Sequence, residues 1–172
     1  MASTELPIIS PSLLPEHLSD QQRRLIEIGA LFEQMQRDLT ALVERYVAPY
    51  GLSVLAWHAL SKIETLGDRA TLSAIGERIM ASPSTMTGIA ARLERAGLVA
   101  RQASPRDQRA VILTLTDEGR RIQREIFTRF FEDLSRTAEG FEPDRLEDII
   151  HAFRRILDGL HRLLAEKAPG RA

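Results

Sequence analysis

The sequence predicts a mainly α fold with a small β-hairpin wing: a winged helix-turn-helix plus a helical dimerisation region. Three observations carry this. Apolar residues recur at three- and four-residue spacing over most of the 172 residues. One segment, 98–115, breaks that period into two short β-type runs around the turn Ser104-Pro105-Arg106-Asp107-Gln108-Arg109. The last helical stretch carries a wide apolar stripe, Leu146, Ile149, Ile150, Phe153, Ile156, Leu157, Leu160, Leu163 and Leu164. A helix packed on one side needs a narrower stripe than that.

Residues 1–18 hold Pro7, Pro11 and Pro15 and read as an extended arm, whose Ile8, Ile9, Leu13 and Leu14 offer docking groups. Ser19 and Gln22 form a capping box for a first helix. Leu25, Ile28, Phe32, Met35, Leu39, Leu42 and Tyr46 alternate at three and four residues along it, close to a heptad seam. The helix ends before Pro49. Ser53 starts a second helix, with Leu55, Leu60 and Ile63 inward and Gly67 as its stop. Thr71 caps a third over 72–80, with Leu72, Ile75 and Ile79 on one face.

Ser82 and Pro83 then open a fourth helix, Ser82 as N-cap and Pro83 at the position that needs no N–H. Ile89, Leu93 and Ala96 face inward, and Gly97 is the left-handed stop. The third helix, the turn and this fourth helix make a helix-turn-helix. Strands follow over 98–103 and 110–115. Thr116 caps a fifth helix, whose stripe is Ile122, Ile126, Phe130 and Leu134, and Asp117 and Glu118 suit its positive end. Gly140 breaks it, and Pro143 opens the sixth. The organisation is an arm, 1–18; a helical dimerisation region, 19–48 and 117–166; and a winged helix-turn-helix, 52–116.

A helix followed by a hairpin with a cationic tip suits DNA. The N-terminal residues of a helix laid in the major groove reach base edges. Here these are Ser84, Thr85 and Thr87, with Ser82 before them and Arg92 further along. Arg106 and Arg109 suit a minor groove, Arg101 lies on the strand leading to them, and Asp107 at two residues from Arg109 can orient its guanidinium. Each has a plainer reading. Ser84 and Thr85 also serve first-turn capping, Arg92 and Arg95 could pair with Glu94, and Asp107 could simply form the turn.

The run Asp107-x-Arg109 followed by Leu115-Thr116-x-x-Gly119 resembles the wing signature of the MarR (multiple antibiotic resistance regulator) family. Leu93-Glu94-Arg95-Ala96-Gly97-Leu98-Val99-x-Arg101 is similar to that family's exit from its recognition helix. The likeness covers roughly residues 19–164. It implies a dimer built from both chain ends, mostly repression, and a ligand pocket between the first two helices and the start of the fifth. In this chain that region offers Arg45, Tyr46, Trp57 and His58. An aromatic wall with titratable groups suits a small aromatic acid or phenol. Trp57 as a core aromatic and His58 as a surface residue are the plainer readings.

Composition narrows the classes. Apolar content is 44% and charged content 27%, both ordinary for a soluble globular chain. With no cysteine, thiol redox sensing, disulfides and thiolate metal sites are excluded. Neither a membrane-spanning run nor a signal peptide is expected, so the expected compartment is cytoplasmic. His17, His58, His151 and His161 are scattered, no hydrolase or phosphate-loop motif occurs, and adjacent acids such as Glu132-Asp133 diverge on their helix. No enzyme, metal or cofactor is therefore expected. Residues 67–116 carry seven arginines against four acids, whereas residues 1–66 carry five basic residues against eight acids. The positive excess thus falls on the reading segment, although a fluctuation of that size carries little alone.

The expected function is a dimeric transcriptional regulator on a palindromic double-stranded operator, released by a small aromatic ligand. Leu146, Ile150, Phe153, Leu157, Leu160 and Leu164 form its dimer seam. A compact monomeric core is the alternative use of that stripe. The alternative function is a winged helix that binds protein rather than DNA.

Overall fold

The computed structural model describes residues 17–105 and 111–166. Most of the N-terminal arm and the wing-tip residues Arg106, Asp107, Gln108, Arg109 and Ala110 lie outside the described residues.

Among the described residues six helices and one hairpin form, in the order α1 (Asp20–Val47), α2 (Val54–Leu66), α3 (Leu72–Ile79), α4 (Pro83–Arg95), β1 (Val99–Ala103), β2 (Val111–Leu115), α5 (Asp117–Arg136) and α6 (Pro143–Ala165). Short 3-10 turns, Ala48–Tyr50 and Gly67–Arg69, follow α1 and α2. The chain divides into two compact units, Met1–Phe130 and Phe131–Ala172.

Local capping chemistry sets most helix starts. Ser19 Oγ accepts from the Gln22 amide at 3.2 Å while Gln22 Oε1 accepts from the Ser19 amide at 2.8 Å. Ser53, Thr71 and Ser82 each accept from the amide three residues on, at 3.2 Å. Gly97, at φ +70°, ends α4 in the left-handed region, as its lack of a Cβ permits. Two expectations are corrected here. Ala96 is an exposed C-cap rather than an inward residue. The third helix stops at Ile79, because Met80 itself turns left-handed at φ +52° and stands 96% exposed.

In the first unit the core forms around α2. Leu60 and Ile63 are fully buried with Ile75 of α3, with Met86, Ile89 and Leu93 of α4, and with Leu113 of β2 and Ile126 of α5. Burying each such side chain is worth about 1.5–3 kcal/mol, so this cluster dominates the stability of the unit. β1 and β2 pair antiparallel, from Val99 opposite Leu115 to Ala103 opposite Val111. Thr71 bridges to Ile112, and the Leu113 amide donates to the Ala70 carbonyl at 2.9 Å, so the start of α3 ties into the hairpin.

Thr116 joins hairpin and α5. Its hydroxyl donates to the Gly97 carbonyl at 2.6 Å and accepts from the Gly119 amide at 3.0 Å, and its own amide donates to the Leu98 carbonyl at 3.1 Å. A Cβ on Gly119 would fall 3.0 Å from the Leu98 carbonyl carbon and closer still to its oxygen. Glycine is the residue that lets the helix start this near the strand.

Along α1 the residues buried within the chain are Ala30, Val43 and Val47. Leu25, Ile28, Phe32 and Met35 of the predicted seam stay exposed, and Leu39, Leu42 and Tyr46 are half-buried. In the second unit, α6 buries none of its residues within the chain. Leu146, Ile150, Leu157, Leu160 and Leu164 are exposed along it, and Phe153 is half-buried.

Candidate nucleic-acid interface

The helix-turn-helix presents one polar end. Pro83 fixes the first helical position of α4, and Ser82 Oγ caps it. Around that cap the hydroxyls form a cluster: Ser82 Oγ lies 3.0 Å from Ser84 Oγ and 2.8 Å from Thr85 Oγ1. Thr87 Oγ1 donates to the Pro83 carbonyl at 2.9 Å. Ser82, Ser84, Thr85 and Thr87 are all exposed, whereas Met86, Ile89, Ala90 and Leu93 of the same helix are buried. The helix is therefore anchored on one face and offers short hydroxyl side chains on the other. Thr87 Oγ1 has given its one hydrogen to the Pro83 carbonyl and keeps only acceptor capacity, whereas the Ser82–Ser84–Thr85 cluster spends two of its three hydroxyl hydrogens internally and keeps one donor and open lone pairs. The cap itself is Ser82, and Ser84 and Thr85 turn their hydroxyls to it.

The arginines distribute differently from the expected set around Glu94. Arg101 Nε on β1 pairs with Glu94 Oε2 on α4 at 3.1 Å. Arg92 and Arg95 instead turn their Nε atoms to their own helix, at 3.4 Å from the Gly88 carbonyl and 3.3 Å from the Ala91 carbonyl. Both partners of the Arg101–Glu94 pair are about two-fifths exposed, so it contributes less to stability than to fixing where β1 leaves the helix. Arg92 also borders a cavity of about 240 Å³ with Tyr50, Ser53 and Ala56, so it lies on the flank of α4 toward α2. Burial and a hydrogen bond to the Glu125 carboxylate push the Tyr50 hydroxyl above its usual range. The wing residues Arg106, Asp107 and Arg109 lie outside the described residues.

The four residues singled out for a ligand separate into two environments. Trp57 is a core side chain, 6% exposed, with its ring 5.1 Å from Phe127 and 6.1 Å from Phe130. Tyr46 meets Phe130 in a T-shaped contact, with ring centroids 6.2 Å apart. Arg45 and His58 are exposed. Desolvation, with the Lys62 charge adding to it, holds the His58 imidazole below its ordinary value. Sequence reasoning named Thr116 as a cap and Gly119 within the wing signature without their packing roles, and missed Gln123. Thr116 is the junction of hairpin and α5, Gly119 is the close-approach glycine, and Gln123 of α5 is buried beneath α2. The Leu-Thr-x-x-Gly run held the signal for the first two, and none marked Gln123.

The MarR family model matches residues 52–111. The transcriptional repressor MdtR of Bacillus subtilis is 38% identical over 55% of this chain, which spans 57% of that relative's length. The uncharacterised regulator YsmB of the same organism is 29% identical over 76% of this chain and 84% of its own. A MarR family protein from Bacillus stearothermophilus shares the fold, with a TM-score of 0.67 and 26% identity over 87% of this chain and all of that one. MdtR and YsmB are both HTH-type transcriptional regulators by name. With the helix-turn-helix, the hairpin and the Thr116–Gly119 junction in place, residues 52–111 match the MarR family, and the chain shares its fold with solved MarR family proteins.

Proposed function

We propose that this chain is a dimeric, sequence-specific DNA-binding repressor that a small aromatic ligand releases from its operator. One observation carries the reading. The N-cap and N-terminal end of α4 expose four hydroxyl residues, Ser82, Ser84, Thr85 and Thr87, on the second helix of a helix-turn-helix whose other face is core. Such a turn fits a major groove, where short hydroxyls accept and donate to base edges. In this reading 52–116 binds DNA, with Arg109 in the minor groove, Arg106 on phosphate and Asp107 orienting Arg109.

The assembly follows from the exposed apolar faces. Leu157 and Leu160 are 50% and 49% exposed in the single chain, and Leu25 and Phe32 of α1 are 50% and 43% exposed. Apolar stripes of this length call for a partner, and a second copy related by two-fold symmetry is the simplest closed solution. A permanent interface of that kind buries on the order of 2,000 Å² or more. Regions 19–48 and 117–166 supply it in this reading.

The test is anisotropy titration of an enriched operator with wild type, Arg109→Ala and Arg106→Ala. Loss of the minor-groove arginine weakens operator binding by about 1–3 kcal/mol and relaxes A·T preference. Loss of the phosphate contact weakens all duplexes alike and lowers the salt slope by about one. Wild-type affinity for every duplex in Arg109→Ala would contradict the assignment. For the ligand, an aromatic acid should alter Trp57 fluorescence and operator affinity together, since release requires tighter binding to the DNA-incompetent form.

A further inference from the structure

At the turn of the helix-turn-helix, α3 and α4 leave a hollow between them. Its volume is about 490 Å³, and Leu72, Gly76, Met80, Ala81, Pro83 and Met86 supply its apolar lining. The turn that frames it is tight. The Ala81 amide donates to the Gly76 carbonyl at 2.9 Å, and a Cβ on Gly76 would stand 3.2 Å from the Ala81 carbonyl oxygen. Met80 passes through this turn left-handed, at φ +52° and ψ +39°, with 96% of its surface exposed on the rim. Glycine or asparagine adopts that backbone at lower cost, so the turn alone does not account for an exposed methionine. Thr87 borders the same hollow. Its one hydroxyl hydrogen is spent on the Pro83 carbonyl at 2.9 Å, so it meets a partner as an acceptor. Glu77 brings an exposed carboxylate to the border, which repels phosphate. The hollow therefore suits a base edge rather than the DNA backbone.

We propose that this hollow selects an A·T pair in the major groove: Thr87 Oγ1 accepts from the adenine N6 amino group while the Met80–Pro83 rim takes the thymine methyl. The inference rests on the reading of α4 as the recognition helix and adds which base pair that helix prefers beside Thr87. A guanine edge presents two acceptors, N7 and O6, and Thr87 has no hydrogen left to share with them. Cytosine offers its N4 amino group but no methyl, so it satisfies Thr87 and leaves the rim in water. An A·T pair supplies amino group and methyl together. Methionine suits the methyl contact because its unbranched thioether adapts to the surface it meets.

Base analogues placed in an operator enriched from random duplexes by the full-length chain test it, with affinity read by anisotropy. Deoxyuridine in place of thymidine deletes the methyl alone, and unsubstituted purine in place of adenine deletes the N6 amino group alone. One thymine in each half-site should lose about fourfold on the first exchange. Its paired adenine should lose about three- to tenfold on the second. Met80→Ala and Thr87→Val change exposed side chains and keep the fold. Met80→Ala should erase the methyl penalty and keep the amino penalty, and Thr87→Val should do the reverse. That crossed pattern is not produced by a general structural defect. An operator on which no thymine exchange lowers affinity overturns the proposal and leaves the hollow to another occupant, with the DNA-binding reading intact. Persistence of both penalties in both variants overturns it equally. Failure to enrich any sequence overturns the DNA-binding reading and this inference with it.

Discussion

Gly119→Ala tests how hairpin and α5 are joined. On helix propensity alone the change should help, since alanine is favoured over glycine by about 1 kcal/mol inside a helix. The structure reverses that sign. The new Cβ falls on the Leu98 carbonyl, and both sides of the contact are backbone, so no rotamer can relieve it. Overpacking of this kind costs about 1–3 kcal/mol. Moving α5 away from the strand also strains the Thr116 bonds to the Gly97 and Leu98 carbonyls, each worth about 0.5–1.5 kcal/mol. Set against the propensity gain, the net loss is about 2–3 kcal/mol, or about 5–10 °C in Tm for a chain of this size. Gly29→Ala in α1 is the control, because nothing lies within 4 Å of its added Cβ, and it should hold or raise Tm. Thermal unfolding followed by circular dichroism reads both. A Gly119→Ala protein as stable as wild type would show that the close approach does not exist.

Leu157→Glu places a charge in the exposed α6 stripe and should convert a dimer to a single-chain mass in light scattering, or unfold it; an unchanged dimer would remove α6 from the interface. Ser82→Ala removes the cap of α4 and should cost about 1 kcal/mol of stability, read from the denaturant midpoint, together with a loss of operator affinity. His58 sits below its ordinary value of 6.5 in the folded chain, so the unfolded chain protonates first as pH falls through that value. The stabilisation is present above pH 6.5 and is lost below it, and His58→Gln should flatten that part of the Tm–pH curve.

What was legible in the sequence was local. Ser19 with Gln22, Ser53, Thr71, and Ser82 with Pro83 announce helix starts through bonds made within three residues, and the structure makes each of them. Gly97 needed only its own backbone to be read. Met80 was not legible, because its left-handed geometry is imposed by the tight turn into α4 and not by its side chain. Glu94 shows the same limit. Its helix neighbours Arg92 and Arg95, two residues before and one after, diverge from it on the helix, and Arg101, from the next strand, takes it. Trp57, Phe127 and Phe130 come from α2 and α5, so their shared cluster is a product of packing. On α1 the heptad seam was visible, but which face the chain itself covers was not. Ala30, Val43 and Val47 are small enough to approach the core and leave the larger seam outside.

The most direct test of the functional account is selection of duplexes from a random pool by the purified full-length chain. A two-fold dimer reading with α4 and the wing should enrich an imperfect inverted repeat, with half-sites about one helical turn apart and A·T pairs where Arg109 enters the minor groove. Enrichment of no common sequence, or of a single unrepeated site, would contradict it.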